Sequence, residues 1–303
     1  MAHWFRPSRW LLAGLVAALP LAAPSLWAPQ AEAKAPNEYH LFVWKVTTPG
    51  AAADAPADYL IGTMHLPVAQ GLTMPAPVRQ LIAEATAVVT EADTRDIQLE
   101  VLQKYTTLKG GKTLKQLLPA ASWAKLVIAK PMGFTADLMV RMEPWFLAVG
   151  LMYPPVDDRP VIDDLVEQEA RQAKVAVSHL ETFEEQLRIM DSVRQEEDVR
   201  QLVDALDQPG RVKAQIDALK RGYFAGNRAA VERLILDPTL LKTYPDFHQK
   251  LLFERNARWV PKVDQLFKGE DAVVAVGLGH MLGDKGLVKL LKAKGYSVEP
   301  LAL

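Results

Sequence analysis

The sequence predicts an α/β fold, because short strand-like runs near both ends of the 303-residue chain bracket a long helical middle. Three observations carry that expectation. Runs rich in β-branched and aromatic residues occur at 40–47, 59–61 and 87–89. Two more, at 272–276 and 296–301, lie close to the end. Between about 95 and 270 the apolar residues recur at helical spacing, with charged faces between them. The expected architecture is a single domain over 34–303, its sheet assembled from N- and C-terminal strands, with a helical insertion across its middle.

Taken in order, residues 1–33 read as a cleavable export signal, so that the mature chain is expected to be periplasmic or secreted. Arg6 and Arg9 precede an apolar run at 11–22, and Ala31-Glu32-Ala33 places small residues where a signal peptidase reads them. Pro20 and Pro24 interrupt the apolar stretch, which argues against its remaining as a membrane anchor. The strands at 40–47 and 59–61 form a hairpin across a turn rich in Pro, Gly and Ala. Pro75 and Pro77 open a helix with Val78, Leu81 and Ile82 on one face, and 87–89 is the third strand. Gly110-Gly111, Pro119, Pro131-Met132-Gly133 and Pro154-Pro155 divide the helices that follow. A short strand at 175–180 leads to Thr182 and Glu185, the spacing of a capping box. Helices continue to about 234 with a break at Pro209-Gly210, and another covers 246–266. The strand at 272–276, a helix at 285–294 and a strand at 296–301 complete the chain.

Composition limits the chemistry. Lys plus Arg total 35 against 36 Asp plus Glu, so nothing in the charge balance points to a nucleic acid or an anionic membrane. There are no cysteines, which excludes disulfides, thiolate metal sites and a cysteine nucleophile. No segment after the signal is long and apolar enough to span a bilayer. His-Glu-x-x-His, Gly-x-Ser-x-Gly and Walker patterns are absent, and Gly283 falls one residue late for a dinucleotide loop begun at Gly277.

Two strand ends share a pattern. The strand at 59–61 runs into Gly62-Thr63-Met64-His65, and the strand at 272–276 into Gly277-Leu278-Gly279-His280. Glycine after a strand lets the backbone turn sharply or approach a ligand closely, and open α/β sheets bind ligands outside the carboxyl ends of their strands. Each histidine alone is better explained by a turn hydrogen bond; the matched pair weighs evenly between that and a shared site. Glu91 follows the 87–89 strand and is expected on the same rim. Two imidazoles and a carboxylate form a common shell for a divalent metal with positions left for water. Asp93 is a weaker candidate of the same kind. Glu181 also occupies a strand end, where a neighbouring helix N-terminus is its alternative partner. His179 reads as a packed residue, and Arg255 and Asn256 as part of an amphipathic helix with Arg255 in a surface ion pair.

The ordered set Leu60-Ile61-Gly62-Thr63-Met64-His65-Leu66-Pro67, Val88-Val89-Thr90-Glu91-Ala92-Asp93, Leu180-Glu181-Thr182-Phe183-Glu184-Glu185-Gln186, Glu254-Arg255-Asn256 with Trp259, and Val276-Gly277-Leu278-Gly279-His280 through Gly295-Tyr296 resembles the TraB/PrgY/GumN family, which is related to the TIKI metalloproteases. The resemblance implies an α/β core of the erythromycin-esterase/ChaN-like (EreA/ChaN) kind and a metal-dependent hydrolase, acting on peptide bonds. It implies His65 and His280 as ligands of a divalent ion, with Mn, Co or Zn in view, and Glu91 as third ligand or catalytic general base. It raises Arg255 to a group that steadies an oxyanion, and Glu181 to one that orients a histidine. The substrate expected is a peptide or a small molecule. The alternative is a non-catalytic binder of a peptide, small molecule, haem or metal in the same cleft.

Overall fold

A computed structural model describes residues 40–52, 56–94, 97–152 and 159–302. The export signal at 1–33 and the Pro154-Pro155 break lie outside the described residues. Six strands form one mixed sheet: β1 Phe42–Thr47, β2 Asp58–Thr63, β3 Ala87–Thr90, β4 Ala176–His179, β5 Ala272–Gly277 and β6 Ser297–Leu301, in the order β4-β3-β5-β2-β1-β6. The expected hairpin is present, with β1 antiparallel to β2 in the register Trp44↔Leu60. β2, β5, β3 and β4 are mutually parallel, through Leu60↔Val274, Val89↔Val274 and Thr90↔His179. β6 closes the other edge, antiparallel to β1.

The strand sequences explain this placement. All six residues of β5 are buried, so both faces of the central strand are covered, as its unbroken Ala and Val run requires. β4, at the edge, alternates exposed and half-buried positions. The chain reaches β5 only after the helical middle, and that middle also supplies β4, so the insertion returns once to the sheet before leaving it again.

The helices that bear on the site are α1 Ala76–Glu84, α2 Ile162–Gln172, α3 Phe183–Asp191, α4 Pro209–Phe224, α5 Arg228–Ile235, α6 Glu254–Gly269 and α7 Leu287–Ala293. α3 starts at the expected capping box: Thr182 Oγ1 accepts from Glu185 N at 3.1 Å, and Glu185 Oε2 accepts from Thr182 N at 2.7 Å. Pro209, read as a break, also begins α4, where a missing N–H is harmless. The helix expected at 246–266 is in fact a turn of helix at Pro245–His248, a π-helical stretch at Gln249–Phe253, and α6. The π stretch inserts one extra residue per turn and so rotates α6 relative to what precedes it. Among the described residues, no helix is long and apolar enough to cross a membrane.

Candidate functional site

Because β4, β3, β5 and β2 are parallel neighbours, their carboxyl ends share one rim. Glu181, Glu91, His280 and His65 follow those four strands in that lateral order, about 4.8 Å per strand. The four residues are 7%, 4%, 1% and 5% exposed, so all four are buried. Backbone bonds from Leu180 N to Thr90 O and from Glu181 N to Glu91 O, both 2.9 Å, carry the pairing of β3 and β4 up to the site itself.

The two histidines converge on a single oxygen. His65 Nε2 lies 3.2 Å from Glu91 Oε1, and His280 Nε2 lies 3.7 Å from the same atom. Gly277 N–H donates to that oxygen at 2.8 Å. A Cβ at Gly277 would stand 2.8 Å from His65 Nε2 and 3.2 Å from Glu91 Oε1, so this glycine exists to leave room. The far nitrogen of each ring is anchored differently. His65 Nδ1 donates to Asp163 Oδ2 at 2.9 Å, and Thr63 Oγ1 donates to the other oxygen of that carboxylate at 2.7 Å. Asn256 Nδ2 donates to the carbonyls of His280 and Lys285, which turns its Oδ1 toward His280 Nδ1 at 2.7 Å. An amide oxygen only accepts, so His280 carries its proton on Nδ1 and presents a lone pair on Nε2.

Arg255 ties the rim together. It is 1% exposed, not on a surface as a bare helical pattern suggests. Its Nη2 donates to Glu91 Oε2 and to Glu181 Oε1, both at 2.6 Å. Nε donates to Glu181 Oε1 at 2.9 Å, while Nη1 donates to Leu251 O at 3.2 Å and faces His280 Nε2 at 3.1 Å. Every N–H of the guanidinium is thereby engaged. In this arrangement Arg255 clamps the carboxylates. Glu181 takes part in the same clamp. It holds Arg255 and accepts from Trp259 Nε1 at 3.3 Å, while the histidines take their orientation from Asp163 and Asn256.

Electrostatics separate the two rings. Burial alone would push His65 down, but the Asp163 and Glu91 carboxylates outweigh it and raise its pKa to about 10. Burial pushes His280 down to about 3, helped by the adjacent Arg255. Burial would raise Glu91, yet Arg255 foremost holds it well below the usual carboxylate range. Asp93 and His179 stand apart: His179 accepts from or donates to Thr90 Oγ1 at 2.9 Å and faces Asp93 at 3.6 Å, on a more exposed part of the rim.

The chain matches the TraB/PrgY/gumN family over residues 42–300. It belongs to that family. Among curated proteins it is similar to Metalloprotease TIKI2 of Danio rerio, at 22% identity over 87% of this chain and 61% of that protein. Metalloprotease TIKI2 of Xenopus tropicalis is 24% identical over 88% of the chain and 61% of its own length. Metalloprotease TIKI1 of Danio rerio is 22% identical over 87% and 63%. The chain thus spans about three fifths of the length of these relatives. No solved structure matches it.

The relatives' names imply a metal, and the donor set accommodates one in its chemistry. Two imidazole Nε2 atoms and a carboxylate oxygen meet beside a side-chain-free glycine, and both far ring nitrogens are anchored as metal-ligating histidines usually are. In this arrangement His65 Nε2 pairs with Glu91 Oε1 and His280 Nε2 with Arg255 Nη1, and among the described residues no group of three His, Asp or Glu is spaced to grip an ion. Asp163 escaped the sequence reading because a first-turn acid on a helix is ordinarily a dipole partner. Its signal was its place in α2, whose N-terminus faces the end of β2.

Proposed function

We propose that this protein is an exported, metal-dependent hydrolase acting on peptide bonds, with His65, His280 and Glu91 as the groups that would hold a divalent ion. The observation that carries the reading is the convergence of both Nε2 atoms on Glu91 Oε1. A bound divalent ion supplies a Lewis acid that polarises a carbonyl and lowers the pKa of water to about 7.

The protein's own residues prepare that place. Asp163 and Asn256 fix the planes of the imidazoles. Glu91 is held in its ionised form between Arg255 and Gly277 N–H. A carboxylate with a depressed pKa is a weak base, so Glu91 suits a ligand better than a proton acceptor. Glu91 and Glu181 face one guanidinium, Asp163 and Glu91 face His65, and the proton on His65 supplies the second positive charge. A divalent cation would replace that proton, so binding should weaken in acid.

A second reading is favoured by the closed hydrogen-bond net around Arg255: a non-catalytic binder that captures its ligand in the same cleft. Turnover separates the two. With a peptide library and added Mn, Co or Zn, the hydrolase reading expects product to exceed protein many-fold, and to vanish with chelator and in His65→Ala and His280→Ala variants. Binding that saturates at one ligand per chain, with no product, supports capture instead.

A further inference from the structure

On the side of the His65–Glu91 pair where α2 and α3 pack, the rim holds a small polar cavity. Glu91, Asp163, Asp164 and Glu167 line it, and among the described lining residues His65 is the one cation. These carboxylates have partners already: Asp163 accepts from His65 and Thr63, Glu167 from Thr90 and Arg171, and Asp164 from Val161 N. A carboxylate offers about four lone-pair sites, so each retains capacity to accept more. Its volume, taken at the centres of water-sized spheres, is about 30 Å³. At roughly 10–15 Å³ per water that is room for about two waters, or for an ammonium and the carbon that bears it.

An acidic lining fixes only the sign of a ligand; Gln186 adds what the ligand must bring. It stands on α3, lines the same cavity and is 4% exposed. Its Nε2 faces Glu91 Oε2 at 3.5 Å, and its Oε1 has no hydrogen-bond partner. Turning the amide over would set its oxygen against the Glu91 carboxylate, so the nitrogen keeps that side and the oxygen is the unpaired atom. A buried acceptor without a donor is destabilising, and a ligand that supplies the donor relieves it.

We propose that this cavity is a subsite for a primary ammonium group of the substrate, which donates to Gln186 Oε1 and to the carboxylates around it. An ammonium has three donors, no acceptor and a charge of the required sign. Other occupants match less well. Water satisfies the amide oxygen but brings no charge to the carboxylates, and a guanidinium exceeds the room. For a divalent ion, no group of three His, Asp or Glu among the described residues is suitably spaced. The cavity shares His65 and Glu91 with the rim, so the amine lies beside the reacting carbonyl, as a peptide N-terminus or a lysine at the cleavage point does. That the ammonium belongs to a peptide substrate rests on the proposed function; its binding in the cavity does not.

The test uses metal-free protein with ¹⁵N-labelled glutamine at about pH 6.5, where primary amines are charged. It is titrated with alanine amide, with N-acetylalanine amide, which has no ammonium, and with Nα-acetyl-lysine amide. An ammonium ligand is expected to shift the Gln186 side-chain signal and to bind at least about tenfold more tightly than N-acetylalanine amide. Preference for alanine amide identifies the source as a peptide N-terminus, and preference for the acetylated lysine identifies a side chain. Gln186→Met keeps the length of the side chain without its acceptor, and is expected to weaken the ammonium ligand at least about fivefold with the circular dichroism spectrum retained. Equal affinities for the three ligands, absence of saturable binding, or shifts that leave the Gln186 signal in place would overturn the subsite. If Gln186→Met fails to fold, the three ligands on the unaltered protein still decide. Ammonium binding without cleavage of any peptide keeps the subsite and removes the hydrolase. Peptide cleavage indifferent to acetylation of every amine, with no ammonium binding, does the reverse.

Discussion

The two Gly-x-x-His strand ends start from one sequence pattern and finish as opposites. At the end of β2, His65 has a carboxylate on Nδ1 and another on Nε2, and its pKa rises to about 10. At the end of β5, His280 has an amide oxygen on Nδ1 and a guanidinium on Nε2, and its pKa falls to about 3. The motif sets where each ring stands; burial keeps His280 neutral, whereas the Asp163 and Glu91 carboxylates overcome burial and charge His65. One ring therefore holds a proton that a cation can replace, and the other presents a lone pair at once.

The largest effect expected from disturbing this pair comes from the clamp they share. Arg255→Met would leave Glu91 and Glu181 buried without their counter-charge, a change expected to cost roughly 3–5 kcal/mol of stability. Urea unfolding measures it, and a loss below about 1 kcal/mol would show that the carboxylates find other partners.

Next come the matched glycines, which test whether the strand ends are equivalent. Gly277→Ala drives a Cβ to 2.8 Å from His65 Nε2, whereas Gly62→Ala meets Leu278 Cδ1 at 2.7 Å, the movable tip of a flexible side chain. Divalent-ion affinity should fall at least tenfold in Gly277→Ala and stay within about threefold in Gly62→Ala, a factor of ten being about 1.4 kcal/mol. Equal losses would mean that both glycines serve the turn and neither the site.

The partner swap follows. In metal-free protein, His65 is protonated in the folded state and neutral in the unfolded state between about 6.5 and 10, so its contribution to stability is complete below 6.5 and lost as pH rises through 10. His280 has the reverse sign. Its folded pKa of about 3 lies below 6.5, so stability falls as pH drops from 6.5 toward 3. Asp163→Asn should flatten the alkaline limb alone and lower the His65 pKa, while Asn256→Asp should raise that of His280. Stability curves and histidine NMR titrations check both. The smallest effect belongs to Asp93→Asn: on the more exposed part of the rim, it should change stability and ion affinity by less than about 1 kcal/mol.

How much of this was readable in the sequence follows from distance along the chain. β-branched runs, Pro at helix starts and the Thr182–Glu185 box act within a few residues, and the structure has all of them close to the expected positions. His65, His280 and Glu91 were legible because strand ends of a parallel sheet must share a rim. The partners were not. Asp163 is 98 residues from His65 and Asn256 is 24 from His280, and no local rule joins them. Arg255 looks like a surface cation on an amphipathic helix, whereas in the structure it is buried against two carboxylates.

The central claim is that these unlike histidines hold one divalent ion together, and calorimetry of ion binding at about pH 7.5 in buffers of different ionisation enthalpy tests it most directly. The expected result is one ion per chain with release of about one proton, the one held on His65, and loss of binding in His65→Ala and in His280→Ala. Absence of stoichiometric binding, or binding that persists in both variants, would contradict it.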